Sequence, residues 1–351
     1  MISCSWLAQS IPSPSTEMAK LAEQRQAQLT KPAGSLGRME ELAIRLAALQ
    51  RTLTPSLERV RIVVFAGDHG VAVAGVSAFP QSVTVEMIRN FSRGGAAIAV
   101  LARQTGADLE VVDVGSVADP SPLPGVLSRR VGAGTRDFRN QPAMTPDECA
   151  QALEAGREAV ERAIQADTQL LIGGEMGIGN TTAATALLSA LLGIDPARLA
   201  GPGTGLPPGG VARKIQVIET ALQCHRSVLD EPLAALAALG GFEIAALAGF
   251  YIAAAQHRVP LLVDGFIATA AAVAAMRIRP DLPPWLFFSH SSAEPGQRAV
   301  AAALDIHPIL DLGMRLGEGS GAAIALPILR LACALHREMA TFAEASVSGA
   351  H

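Results

Sequence analysis

The stretch Gln169-Leu170-Leu171-Ile172-Gly173-Gly174-Glu175-Met176-Gly177-Ile178-Gly179-Asn180-Thr181-Thr182 decides how this chain folds. Gln169 to Ile172 is a short, mainly apolar run. A glycine-rich turn follows with one glutamate in it, and Asn180 to Leu192 then carries an apolar helical pattern. A strand that enters a glycine turn and leaves it as a helix is the building unit of an open α/β sheet. Such sheets put their ligands outside the carboxyl ends of their strands.

The unit recurs along the chain. Val60-Arg61-Ile62-Val63-Val64-Phe65 is a β-branched run ending in Ala66-Gly67-Asp68-His69-Gly70. Leu109 to Val114, Pro260 to Val263 and Leu286 to Phe288 are further strand candidates, with Ile309 to Leu312 a weaker one. Near-continuous apolar runs suit parallel strands covered on both faces. Helical patterns fill the intervals: Glu86 to Gln104 (broken at Gly94-Gly95), Val211 to Cys224, Gly241 to Ala255, Gly265 to Met276 and Gly319 to Met339. Thr145-Pro146-Asp147-Glu148 opens another as a capping box with proline in the first turn. Thr16 to Thr30 and Leu36 to Leu53 form a polar helical N-terminal segment, joined by the loop Lys31 to Arg38. Strand–helix alternation indicates an α/β fold with a mostly parallel sheet.

Composition narrows the function. The chain has 351 residues, is 50% hydrophobic with 4% aromatic residues, and carries a net charge of −4. No basic patch stands out, which argues against nucleic acid as a main partner. Cys4, Cys149, Cys224 and Cys333 are scattered, with no C-x-x-C pair, so reduced thiols are expected rather than a zinc site. Leu233 to Ala255 is the most apolar region. It contains Gly240-Gly241 and Glu243 and reads as a buried helix pair rather than a membrane span. Met1 to Ser10 lacks a basic region followed by an apolar core, so a cytoplasmic protein without a secretory leader is expected.

Polar and glycine residues collect after the strands: Asp68-His69, Glu175 with its loop, Asp264-Gly265, Ser289-His290-Ser291-Ser292, and Arg315-Leu316-Gly317-Glu318-Gly319-Ser320-Gly321. Together they mark a functional site along one sheet edge. Gly177 to Thr182 suits a phosphate cradle, with glycines for close backbone approach and free N–H groups at a helix start. A plain helix N-cap with a flexible turn is the ordinary alternative. No Lys stands in the G-K-[ST] position, so it is not a P-loop. Gly201 to Gly205 is a second such loop, with Lys214 within reach of an anion, and Gly319 to Gly321 a third. Several anion loops without a P-loop lysine suit a mononucleotide monophosphate. Glu318 and Glu175 are candidates for a general base, which needs a carboxylate whose proton affinity is raised by partial burial. His69 and His290 lack metal-ligand spacing, and no metal or cofactor is expected.

These motifs resemble the nicotinate-nucleotide–dimethylbenzimidazole phosphoribosyltransferase family of cobalamin biosynthesis. The matching pieces are Lys31 to Arg38, Gly67 to Gly70, Gly75 to Gln81, Gly94 to Ala97, Gly174 to Thr182, Gly240 to Glu243, Asp264 to Phe266, Ser289 to Glu294 and Arg315 to Gly321, in family order. The resemblance implies a doubly wound, mostly parallel six-stranded α/β sheet with helices on both faces. It also implies a small helical lobe from both chain ends, with boundaries at 1–58, 59–318 and 319–351. The reaction implied moves a phosphoribosyl group from nicotinate mononucleotide to 5,6-dimethylbenzimidazole. By the same resemblance Glu318 is the base, assisted by Glu175, and Phe79, Met87, Met176 and Leu316 form the azole pocket. Gly177, Gly179, Asn180, Thr181, Gly203, Thr204, Lys214, Ser292, Arg315 and Gly317 hold the phosphate, ribose or nicotinate, and the family is homodimeric. Two departures stand out: Ser320 where many relatives carry Thr, and Gln297 where His is often found. Other readings are transfer to a different base, a noncatalytic nucleotide sensor, and a structural protein. The presence of both glutamates weighs against the sensor, and the glycine loops weigh against the structural protein.

Overall fold

The computed structural model describes residues 4–120 and 122–348. Of the tail noted at Ser346 to His351, residues 349–351 lie outside that description, as do residues 1–3. The strands are β1 (Val60–Gly67), β2 (Asp108–Gly115), β3 (Val126–Ser128), β4 (Leu170–Met176), β5 (Leu261–Val263) and β6 (Leu286–Phe288). The helices before β4 are α1 (Thr16–Gln28), α2 (Arg38–Gln50), α3 (Ser82–Arg93), α4 (Ala97–Thr105) and α5 (Pro146–Gln165). Those after it are α6 (Asn180–Leu192), α7 (Pro196–Leu199), α8 (Pro208–His225), α9 (Pro232–Leu239), α10 (Phe242–Gln256), α11 (Phe266–Ile278), α12 (Pro295–Ala303) and α13 (Ser320–Glu338).

All strand pairs are parallel, and the sheet order is β3-β2-β1-β4-β5-β6. The chain winds outward to one edge, returns to the middle and winds to the other, which makes the sheet doubly wound. The direction reverses between β1 and β4. The connections leaving their carboxyl ends turn to opposite faces there, the usual ligand position of such sheets. Register places Phe65 beside Glu175 and Ala66 beside Met176, so Glu175 stands at that position.

One expected strand is corrected. Ile309 to Leu312 is not a strand. Ile309 and Leu310 donate to the carbonyls of Phe288 and Ser289, but only Leu310 with His290 forms a bridge. Asp311 and the positive-φ turn at Gly313 (φ 66°) end the pairing at once. The sixth strand is β3, three residues beside β2 at the opposite edge. It is too short to show a periodicity of its own.

The helices form where their end signals stand. At α5, Thr145 Oγ1 accepts from Glu148 N (3.2 Å) and Glu148 Oε2 accepts from Thr145 N (2.7 Å), satisfying two N–H groups reciprocally. The Leu233 to Ala255 region is α9 and most of α10, and α10 is buried along nearly its whole length under β4. It crosses α5 at a backbone-to-backbone contact. A side chain at Gly156 would overlap the carbonyl of Ala246, and one at Gly249 that of Leu153. Among the described residues no helix is long and apolar enough to cross a membrane.

The chain ends meet. α2 packs against both α1 and α13, Arg25 Nε donates to His336 O (2.7 Å), and Gln26 Nε2 lies 2.8 Å from His336 Nδ1.

Candidate active site

A cleft of about 470 Å³ opens at the carboxyl ends of β4, β5 and β6. A wider groove of about 620 Å³ lies between the N-terminal turn and α5. Its charges are matched among themselves, Arg129 with Glu158 and Arg130 with Asp113, and it carries no group poised for chemistry.

One wall of the cleft is apolar. Phe79, Met176 and Leu316 line it, joined by Phe266 and Ile267 from the start of α11. Phe79 and Leu316 remain 51% and 59% exposed, so an apolar ligand has free surface to cover there. Met87, the fourth residue expected in this pocket, does not line the cleft. It sits half-buried on α3 against the core, with Asn90 Nδ2 4.0 Å from its sulfur.

The facing wall is polar. Gly177, Asn180 and Thr181 reach it from the start of α6, Gly203 and Thr204 from the loop before α8, and Ser292, Arg315 and Gly317 from the far side. Thr204 Oγ1 accepts from Ala78 N at 3.3 Å, tying this loop to the segment that carries Phe79. Arg315 Nη1 donates to Gly203 O at 2.7 Å. Gly179 stands just behind, as the left-handed N-cap of α6 (φ 99°). Lys214 also lies behind the wall, 1% exposed, with Nζ 3.0 Å from both Thr181 Oγ1 and Gly201 O. Burial lowers its proton affinity to about 8, opposed by the negative charge of Glu294. No carboxylate lies within ion-pair distance of this ammonium among the described residues.

The two glutamates meet through their backbones, Glu318 N donating to Glu175 O at 3.2 Å. Glu175 lines the cleft, 5% exposed, and Asn180 Nδ2 donates to its Oε2. Burial holds its carboxyl well above the usual range, with the charges of Asp264, Glu243 and Glu318 acting in the same direction. Glu318, also 5% exposed, lies on a strap against the end of β4, its Oε2 accepting from Ile98 N at 3.1 Å. Burial raises its proton affinity too, opposed by the Ile98 N–H and reinforced by Asp264. Glu318 is not among the residues that line the main cleft; its carboxylate turns toward the start of α4.

The strap is unusual backbone. Gly317, Glu318 and Gly319 have φ of 88°, 66° and 86°, three successive residues in the left-handed region. Glycine accepts this freely, whereas a glutamate does so at a cost. Such strain is kept where the surroundings over-determine it, typically at functional sites. Gly174 permits the contact, because a side chain there would overlap the carbonyl of Glu318.

A sequence profile described as phosphoribosyltransferase matches residues 11–347. A nicotinate-nucleotide–dimethylbenzimidazole phosphoribosyltransferase of Pseudomonas aeruginosa is 59% identical over 332 residues, 95% of each chain. The chain belongs to this phosphoribosyltransferase family. A relative of the same name from Pseudomonas fluorescens is 57% identical over 344 residues, 98% of each chain. The crystal structure of the Thermus thermophilus nicotinate-nucleotide–dimethylbenzimidazole phosphoribosyltransferase superposes with a TM-score of 0.91 at 46% identity, covering 96% of this chain and all of that one. The protein is therefore an enzyme of the phosphoribosyltransferase class, built on the α/β fold expected from its sequence.

Sequence reading missed several residues of this phosphoribosyltransferase site. Phe266, Ile267 and Glu294 line the cleft; Phe266 and Glu294 stood in the matching motifs without an assigned role, and Ile267 carried no signal. Two buried carboxylates near the site, Glu243 and Asp264, stood in the sequence motifs but with no partner assigned. Glu243 Oε1 lies 2.6 Å from His69 Nε2, both side chains wholly buried, and Asp264 stands under the strap. A buried carboxylate is recognised only from what surrounds it.

Proposed function

We propose that the enzyme transfers the 5-phosphoribosyl group of nicotinate mononucleotide to 5,6-dimethylbenzimidazole. The products are α-ribazole 5′-phosphate and nicotinate, supplying the lower ligand of cobalamin. One observation carries the reading: a single cleft sets a half-exposed apolar wall (Phe79, Met176, Leu316) against a polar wall of backbone and hydroxyl donors, with buried Glu175 lining it and buried Glu318 on the adjoining strap. A flat dimethylated ring suits the first wall, and a ribose phosphate suits the second.

In this reading Glu318 takes the N–H proton of the azole while the other ring nitrogen attacks C1′. The bond from C1′ to the pyridinium nitrogen breaks, and its electron pair stays with nicotinate. That ring becomes neutral as it leaves, so no acid is needed. Attack opposite the leaving group turns a β-riboside into an α-riboside. Glu175, whose carboxyl is pushed well above its usual range by burial, orients the substrate or supports Glu318. The phosphate lies on the backbone of Gly177 to Thr181 and Gly203-Thr204, with Lys214 behind it, and Arg315, Ser292 and Gly317 complete the anionic and ribose contacts. The working protein is a cytoplasmic homodimer, with segments 1–58 and 319–351 as its small lobe.

The test incubates the purified enzyme with nicotinate mononucleotide and 5,6-dimethylbenzimidazole, beside Glu318→Gln, and follows α-ribazole phosphate by mass and chromatography. Product from the wild type alone supports both reaction and base. Product from both moves the base, with Glu175 next. No product from the wild type, despite bound nucleotide, rejects dimethylbenzimidazole as the acceptor.

A further inference from the structure

The N-cap position of α13 is Gly319, which has no side chain to cap with. A Ser or Asp there would cap best with extended backbone, and extended backbone cannot make this strap. The missing acceptor comes instead from 55 positions earlier. Asp264, directly after β5, accepts from Gly319 N through Oδ2 at 3.1 Å and from Ala322 N through Oδ1 at 2.9 Å. It is 1% exposed. On the other side of the strap, Glu318 N donates to Glu175 O at 3.2 Å. The peptide groups on either side of the Glu318 α-carbon are thus both held from the sheet, one by β4 and one by the residue after β5.

We propose that Asp264 is the positioning residue for Glu318, fixing the strap from which the base reaches the azole. The inference rests on the reading of Glu318 as base. A carboxylate is needed because both partners are N–H donors. An asparagine would turn its own NH2 toward one of them.

The charge of Asp264 adds a second effect. The groups around it are Glu318 on the strap, Glu175 at the end of β4, Tyr251 on α10 and His290 after β6, whose Nδ1 is 3.7 Å from Asp264 Oδ1. His290 opposes the negative charge and the others do not. Asp264 therefore favours the protonated form of Glu318, in the direction a base working near neutral pH requires.

The test measures kcat and KM against pH for wild type, Asp264→Asn, Glu318→Gln and the double variant, with an unfolding midpoint for each. In Asp264→Asn, kcat falls on the order of 10- to 100-fold because the base is misplaced. KM for nicotinate mononucleotide stays within about threefold, and adding Asp264→Asn to Glu318→Gln costs less than about twofold more. The acid limb of kcat moves to lower pH as the neighbouring charge is lost. Equal fractional losses in both backgrounds, or a lower midpoint with an unmoved acid limb, overturn the proposal and leave Asp264 as a helix cap only. Full activity in Glu318→Gln overturns the reading of the base instead. If Asp264→Asn does not fold, Gly319→Ala carries the test, since it displaces the strap and keeps the Asp264 charge. A lower kcat with the acid limb unmoved supports the proposal, and an unchanged kcat overturns it.

Discussion

The backbone N–H of Glu318 donates to the carbonyl oxygen of Glu175 at 3.2 Å. Two glutamates 143 positions apart are thereby joined through the main chain, not through their carboxylates. Their side chains then diverge, Glu175 to Asn180 at the cleft wall and Glu318 to the N–H of Ile98. A shared backbone and separate partners let two buried carboxylates differ in proton affinity.

Glu318→Gln lowers kcat by about 100-fold or more, the usual weight of a general base, while nucleotide affinity is kept. The base works deprotonated, so kcat rises with pH through the Glu318 value. Burial and Asp264 raise that value, which moves the acid limb upward. Steady-state rates across pH, with nucleotide binding by calorimetry, check both points.

Lys214→Met raises KM for nicotinate mononucleotide by about 10- to 100-fold, as loss of a charge-assisted bond predicts. Burial brings the free Lys214 ammonium down to about 8, so nucleotide binding is strong below that pH and weakens as the pH rises through it. The variant loses this pH dependence. Titrating nucleotide affinity from neutral to alkaline pH in both proteins checks the prediction.

Phe79→Ala raises KM for the azole by about tenfold, the weight of roughly half a phenyl ring of lost burial. KM for the nucleotide does not move, because the ring stands on the apolar wall. Unequal loss for the two substrates is the outcome to look for. Equal loss means that Phe79 holds the lip of the cleft rather than the azole.

Gly156→Ala destabilises the fold without touching the site. The added methyl overlaps the carbonyl of Ala246 at the α5–α10 crossing, so the helices must part. Such overpacking costs about 1–3 kcal/mol. A lower unfolding midpoint with unchanged KM values is expected.

Much of this was legible in the residues. The βα units after Phe65 and Ile172 carried their period, turn glycines and helix starts locally, and α6 begins and ends at the residues read from sequence. The Thr145 cap was equally local. Strand β3 was hidden because three residues show no period, and Ile309 to Leu312 misled because an apolar run does not reveal how many partners it finds. In the site, glycine loops were visible but the inward turn of Glu318 to Ile98 was not. Nor was the separation of Met87 from the cleft, since both depend on how α3 and α4 pack over the strap.

By itself, the sequence determined the alternation of strands and helices, the loops at the strand ends and the residue types available for chemistry. These follow from local periodicity and turn preferences within a few residues. Only the tertiary structure decided the sheet order, the positive-φ strap across Gly174 and the pairings of Asp264 with Gly319 and His69 with Glu243. The strap and the two pairings join groups 55 or more positions apart, and burial, which sets proton affinities, exists only once those distant segments have closed on one another.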